Sequence, residues 1–208
     1  MPLLLKLFSG TGSIGRAFRD QGWEVFAVDL DPKAAADLHM DILDLTPAML
    51  PPQIDCIWAS PPCTHYSRAR PKAKTPRDLI GSDALVRKVL DLVTHYGVPV
   101  FMENPHSGLL EDREVVQGIP MQVVDYCRYG TAYRKRTAIW TNTAWQPARP
   151  LRNRDCASSN GLRHTTMAQQ GGGHGGSRRS QNELYAIPQE LCLEFAGYMA
   201  GLRVVRLT

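Results

Sequence analysis

The stretch Leu3-Leu4-Leu5-Lys6-Leu7-Phe8-Ser9-Gly10-Thr11-Gly12-Ser13-Ile14-Gly15 decides the fold class. Residues 3–8 form a short apolar run that ends in turn residues, the pattern of a buried strand. Residues 9–15 supply the turn, and residues 14–21 carry Ile14, Ala17 and Phe18 at helical spacing. A glycine-rich loop between strand and helix lets the backbone approach a ligand, and the helix start offers free amides. No Gly-Lys-Ser/Thr follows, so this is not a Walker loop. Residues 24–29 read as a second strand ending in Asp29, about twenty residues past the first glycine, where a carboxylate can take both hydroxyls of a ribose. A tight turn followed by a surface acid satisfies the same pattern.

Working outward, Pro32 suits the first turn of a helix over 33–39. Residues 54–59 are an apolar strand that runs into Ser60-Pro61-Pro62-Cys63. Ser82 reads as the N-cap of a helix through His95, with Leu85, Val86, Val89, Leu90 and Val93 on one face. Residues 98–103 are a further strand. Repeated strand–helix–strand units predict an α/β fold: a Rossmann-like, mostly parallel sheet with helices on both faces, and ligands at the carboxyl ends of its strands. Residues 121–126 and 137–141 read as two more strands. Residues 143–181 lose periodicity and contain a glycine-rich run at 171–176. Pro188 opens a last helix over 189–199. Three parts follow: 1–142 as the main domain, 143–183 as an irregular region, and 184–208 as a returning helix.

Composition narrows the function. The chain has 208 residues, 43% hydrophobic and 21% charged, which suits one soluble domain and excludes a disordered chain. No stretch approaches the ~20 apolar residues of a membrane span, and the start reads as a strand, not a signal peptide. Five cysteines without paired spacing argue against a disulfide framework and for a reducing cytoplasm. The net charge of +4 is uneven. Arg68, Arg70, Lys72, Lys74 and Arg77 stand in 68–77 with no acid, and 149–179 holds six arginines against Asp155 alone. Two cationic segments on an otherwise acidic chain suit a polyanion, with solvated loops as the plain alternative.

Two residues carry chemistry. Cys63 follows two prolines at a strand end, and Arg68 and Arg70 nearby in sequence favour a thiol of lowered pKa. Cys56 and Cys192 read as apolar filler. Glu103 ends another apolar strand on the same sheet edge, while Asn104 and Pro105 suit the cap and first position of a helix. Cys127, Cys156, His164 and His174 show irregular spacing and no CxxC pair, so no metal is expected and the histidines read as loop residues facing DNA or solvent. Trp23, Trp58, Trp140 and Trp145 read as core.

The order of these motifs resembles the DNA (cytosine-5) methyltransferases: Phe8-Ser9-Gly10-Thr11-Gly12, Asp29, Pro61-Pro62-Cys63, Glu103-Asn104-Pro105 and Arg134-Lys135-Arg136. His39-Met40-Asp41-Ile42 is similar to the family's Gly-Asp-Ile segment, and Ile187-Pro188-Gln189-Glu190-Leu191 to its last motif. The resemblance covers roughly 3–142 and 184–201. It implies S-adenosylmethionine as cofactor, held by Phe8, Ser9, Gly10, Thr11, Gly12, Ile14, Asp29, Leu30, Asp41, Ile42 and Pro61. It implies methyl transfer to carbon 5 of a flipped cytosine in double-stranded DNA, with Cys63 attacking carbon 6. Glu103, protonated through burial, would donate to ring nitrogen 3, and Arg134 and Arg136 would position the base and Glu103. Arg68, Arg70, Lys72, Lys74, Arg163, Arg178 and Arg179 would meet the DNA, the loop at 149–179 ordering on it. Tyr133 stands where the family often has glutamine, and the family's usual Gly-Asn is not evident, with Asn182 and Glu183 standing nearby. About forty residues replace a longer recognition region, as in a minimal, phage-like member that is a monomer or works with a partner subunit. Alternatives are a cytosine-N4 or other amino methyltransferase, since Ser60-Pro61-Pro62 also begins that motif, an inactive nucleic-acid-binding relative, and an RNA substrate.

Overall fold

A seven-stranded sheet carries the molecule, in the order β3-β2-β1-β4-β5-β7-β6. Its strands are β1 (Leu3–Leu7), β2 (Glu24–Asp29), β3 (Leu38–His39), β4 (Cys56–Ala59), β5 (Val100–Pro105), β6 (Met121–Asp125) and β7 (Arg136–Thr141). Among the described residues four α-helices accompany it: α1 (Ser13–Asp20), α2 (Leu79–Tyr96), α3 (Gln181–Tyr185) and α4 (Gln189–Arg206). The computed structural model describes residues 1–68, 73–149, 155–156, 158–168 and 180–206. β1 to β5 run parallel, and β7 pairs antiparallel with both β5 and β6. The chain leaves β1 for β2 on one side and returns for β4 on the other. The crevice at such a reversal is where α/β sheets take ligands.

Alternation along the strands divides the core into two layers. Leu5 and Leu7 of β1, Ile57 and Ala59 of β4, and Val100 and Met102 of β5 join Val86, Val89 and Leu92 of α2. The intervening Leu4, Cys56, Trp58 and Phe101 face Ile14, Ala17 and Phe18 of α1 and Leu191, Phe195 and Met199 of α4. Period two in the strands and period 3.6 in the helices therefore meet on both faces. The four tryptophans and Cys56 and Cys192 are buried, as the sequence predicts.

Three local expectations are corrected. No helix forms over 33–39. The Asp37 carboxylate accepts the Ala27 amide at 2.7 Å and the Asp37 amide donates to the Ala27 carbonyl at 2.8 Å, so the segment is stitched to β2 and continues as the edge strand β3. A run this short cannot meet the cost of helix nucleation against that pairing. α2 starts before Ser82: Asp78 is its cap, accepting the Gly81 amide at 2.7 Å, while the buried Ser82 hydroxyl donates back to the Asp78 carbonyl. A side chain at Gly81 would collide with the Asp78 carboxylate, so glycine admits the cap. Asn104 caps no helix, because β5 continues through Pro105.

Candidate active site

The carboxyl ends of β1, β4 and β5 open into a cavity of about 980 Å³. Phe8, Ser9, Gly10, Thr11, Ile14, Asp29, Leu30, Asp41, Ile42 and Pro61 line it, as do Cys63, Glu103, Arg134 and Arg136. Gly12 does not; it is the left-handed cap residue of α1, at φ 76°.

The wall at β1 is shaped by a bend that few side chains tolerate. Phe8 sits at φ 58°, a costly conformation for a bulky residue and one that gathers at functional sites. The bend is held because the Ser9 amide donates to Val28 and its hydroxyl to the Ala35 carbonyl at 2.8 Å. Lys6 beneath it donates to the Ser9 carbonyl, and burial pushes its amine down to about 8. The Asp29 carboxylate accepts the Gly10 and Asp31 amides at 2.8 and 2.9 Å. Asp41 accepts the Leu43 amide at 2.9 Å. Each carboxylate keeps further lone pairs and can only accept, which suits hydroxyl and amino donors. The first turn of α1 carries no side-chain cap. An aromatic face, two acceptor carboxylates and uncapped helix amides fit a nucleoside joined to an amino acid, and so fit S-adenosylmethionine.

The opposite wall brings Cys63 and Glu103 to one place. Asn104 Nδ2 donates to the Pro61 carbonyl at 2.8 Å, tying the loop after β4 to the end of β5. Beyond Cys63 the Ser67 amide returns to the Cys63 carbonyl at 2.9 Å, and Arg77 donates to the carbonyls of His65 and Ser67. The fully buried Tyr66 anchors this turn through its hydroxyl on Asp83 at 2.9 Å, and Arg113 grips the same carboxylate at 2.6 Å. The expected lowering of the Cys63 pKa is corrected. Burial, then the Glu103 charge, pushes this half-buried thiol above its ordinary value, with Lys135 pulling the other way. Arg68 cannot serve it, being paired with Asp112 at 2.7 Å on the surface.

Glu103 is 8% exposed, accepts the Tyr126 hydroxyl at 3.2 Å and has the Lys135 ammonium 3.7 Å away. Burial, and next the Glu103 charge, raises the Tyr126 phenol well above its ordinary value, so it acts as a donor. Arg134 and Arg136 do not hold Glu103. Both reach Asp125 on β6, at 3.4 and 3.2 Å. Alternate residues of an extended chain face opposite sides, so Arg-x-Arg sends its two arginines one way and the middle Lys135 the other. That alternation was the available signal for Lys135. Tyr126 had none, because its partnership with Glu103 depends on how β6 lies against β7.

The cationic residues divide. Lys74 and Arg163 are exposed and do not line the cavity. Arg70, Lys72, Arg178 and Arg179 lie outside the described residues, as does the glycine run at 171–176. No helix among the described residues is long and apolar enough to cross a membrane.

No protein-family model matches the chain. It is 31% identical over 212 residues to the "Probable DNA (cytosine-5)-methyltransferase" of Frog virus 3 (isolate Goorha), covering 92% of this chain and 97% of the viral one. Among solved structures it is similar to the S. pombe Dnmt2 methyltransferase, with TM-score 0.52 and 16% identity over 74% of this chain and 57% of that one. It is also similar to a DNA modification methyltransferase encoded within an E. coli prophage, with TM-score 0.50 and 18% identity over 68% of this chain and 46% of that one. The chain thus spans about half the length of these two solved proteins, whose likeness shows the fold, and nearly all of the viral relative. With the motif order and cavity above, the match to the viral relative places the chain in the DNA (cytosine-5)-methyltransferase family.

Proposed function

We propose that the chain methylates carbon 5 of cytosine in DNA through a covalent adduct with Cys63. The observation that carries this is the Asn104 tie, which holds the Cys63 loop and Glu103 on one wall of the cavity that Phe8, Asp29 and Asp41 line on the other. S-adenosylmethionine, bound against Phe8, Asp29 and Asp41, supplies the methyl group.

A cytosine ring is a poor carbon nucleophile. The Cys63 thiolate adds to carbon 6, and the electron pair of the 5,6 double bond moves into the ring. Negative charge develops toward ring nitrogen 3, and a proton passed along the Glu103 carboxylate from its donor neighbours, the Lys135 ammonium and the Tyr126 hydroxyl, neutralises it. Carbon 5 is now enamine-like and takes the methyl group. Loss of the carbon 5 proton to a base then reforms the double bond as the sulfur–carbon 6 bond breaks and Cys63 leaves. A stacked cytosine cannot reach the cavity floor, so the base is flipped out of the duplex. Arg134 and Arg136, fixed on Asp125, flank the entrance as donors for the nucleotide.

DNA carrying 5-fluorocytosine tests this reading. Fluorine cannot leave as a proton does, so the adduct accumulates. A denaturation-resistant complex with the native chain, absent from Cys63→Ser, is expected. Methylation of ordinary DNA with no such complex overturns the covalent reading. An RNA substrate is checked with the same fluorinated base in RNA.

A further inference from the structure

A second set of chemistry-bearing side chains lies away from the cavity. Cys127 sits in the short 3-10 turn Tyr126–Tyr129 that follows β6. Cys156 and His164 belong to the irregular region, where Ser159 and His164 form an antiparallel bridge and the Thr165 amide donates to the Ser158 carbonyl at 2.8 Å. Although 37 residues apart in sequence, Cys127 Sγ and His164 Nε2 stand 3.7 Å from each other. The ligand atoms of Cys127, Cys156 and His164 all lie within 4.8 Å of one another.

That spacing has a meaning. Zinc–sulfur and zinc–nitrogen bonds at a tetrahedral angle put two ligand atoms about 3.6 Å apart. Two thiols and one imidazole are the soft and borderline donors that favour zinc over magnesium or calcium. The segment also needs a fastening. Its Leu162 side chain is 76% exposed and so adds nothing to a core there. Small elements without a core are held by metals or cross-links.

We propose that Cys127, Cys156 and His164 bind a zinc ion that staples Cys156 and residues 158–168 to the end of β6. Binding releases the protons of the two thiols, and the three protein donors leave a fourth position for water. The staple has a reach. Arg134 bridges to Met167, its amide donating to Thr166 at 2.9 Å and its carbonyl accepting from Ala168 at 3.0 Å. Met167 and Ala168 line the active-site cavity, so the metal fixes a piece of its wall.

The test uses the full chain, reduced and freed of metal by chelator, then titrated with zinc. About one zinc per chain is expected, with a rise in the thermal unfolding midpoint. Cobalt in place of zinc should show thiolate-to-metal charge-transfer absorption. Cys156→Ser and His164→Ala, both at partly exposed positions, should weaken zinc binding at least about tenfold and lose the thermal shift. Cys63→Ser should keep both. Absence of uptake by the reduced native chain overturns the site. So does a Cys127–Cys156 disulfide in a chain without metal affinity, or equal zinc binding by native and variants. Zinc uptake is read without methyl transfer, so this outcome stands apart from the proposed reaction.

Discussion

The sheet end at β1, β4 and β5 and the segment from Tyr126 to Ala168 face the same cavity but are built by opposite means. At the sheet end, backbone ladders and two layers of alternating apolar side chains set every position, and the reactive residues are appended where the strands stop. In the other segment β7 is laddered to β5 and β6, but around that ladder single side-chain partnerships set the groups: Asp125, just before the segment, with two arginines, Lys135 and Tyr126 with Glu103, Cys127 beside Cys156 and His164. A ladder is shared among many bonds and survives the loss of one. A partnership does not. Substitutions of the reactive residues at the sheet end should therefore alter chemistry while leaving the fold intact, whereas substitutions in the second segment should move the positions of other groups.

The largest effect sharpens the first half of that contrast. Cys63→Ala should lower methylation by at least about a thousandfold, with unfolding midpoint and S-adenosylmethionine binding close to native, read by calorimetry. A large loss of cofactor binding would mean that the two walls are coupled and the contrast is wrong. Glu103→Gln comes next. It preserves shape and removes the acid, so single-turnover rates should fall on the order of a hundredfold with cofactor affinity unchanged. Near-native turnover would remove Glu103 from the chemistry.

The same contrast explains what could be read before the structure. Apolar runs ending in Phe8, Asp29, Cys63 and Glu103 are local signals, and strand ends converge on one edge in a parallel sheet. The helix expected over 33–39 failed because one side chain, Asp37, pairs across to Ala27. Arg134 and Arg136 were expected on Glu103 because the motif names them, yet the register Asp125↔Arg136 gives both arginines to β6. The Cys63 pKa was misread because sequence neighbours stood in for spatial ones: Arg68 is occupied by Asp112, while Glu103, forty residues away, is what the thiol feels. Cys127 and His164 meet only through the folded hairpin, a pairing that no short-range spacing encodes.

Asn104→Ala tests the tie between the two elements of the sheet end. Losing its bond to the Pro61 carbonyl should cost about 1–2 kcal/mol of stability and about tenfold in rate, since the Cys63 loop is no longer anchored to β5. A rate change without a stability change would place Asn104 on the substrate instead. Lys135→Met should act through pH. Cys63 attacks as the thiolate and its thiol lies above the ordinary range, so activity rises with pH on the alkaline side of neutrality. Lys135 pulls that pKa down; without it the pKa rises, the limb of the kcat/KM profile moves to higher pH, and activity at pH 7.5 falls several-fold while recovering at higher pH. Lys135→Arg should keep the native limb. An unmoved limb in Lys135→Met would break the link between the second segment and the nucleophile.

The smallest effect concerns Arg163, exposed on the hairpin where its amide donates to Asn160 at 2.9 Å. An arginine there can meet the phosphate backbone, a contact that carries affinity and no sequence information. Arg163→Ala should weaken binding to every DNA sequence by the same few-fold factor. It should also flatten the plot of log affinity against log salt by about 0.9, the share of one phosphate contact. The rate of the bound complex should not change, because Arg163 lies outside the cavity. If residues 143–183 are the recognition region that the sequence suggests, so short a stretch should read a target of about two to four base pairs, since each specified base pair needs its own edge contact in a groove. Methylation mapped across a genome before and after the substitution separates the two roles. Uniform loss assigns Arg163 to the backbone and keeps the second segment as scaffold and clamp. Loss confined to some sequences, or a native target of six or more base pairs, would make the hairpin a reader of bases and reverse the division of labour between the two regions.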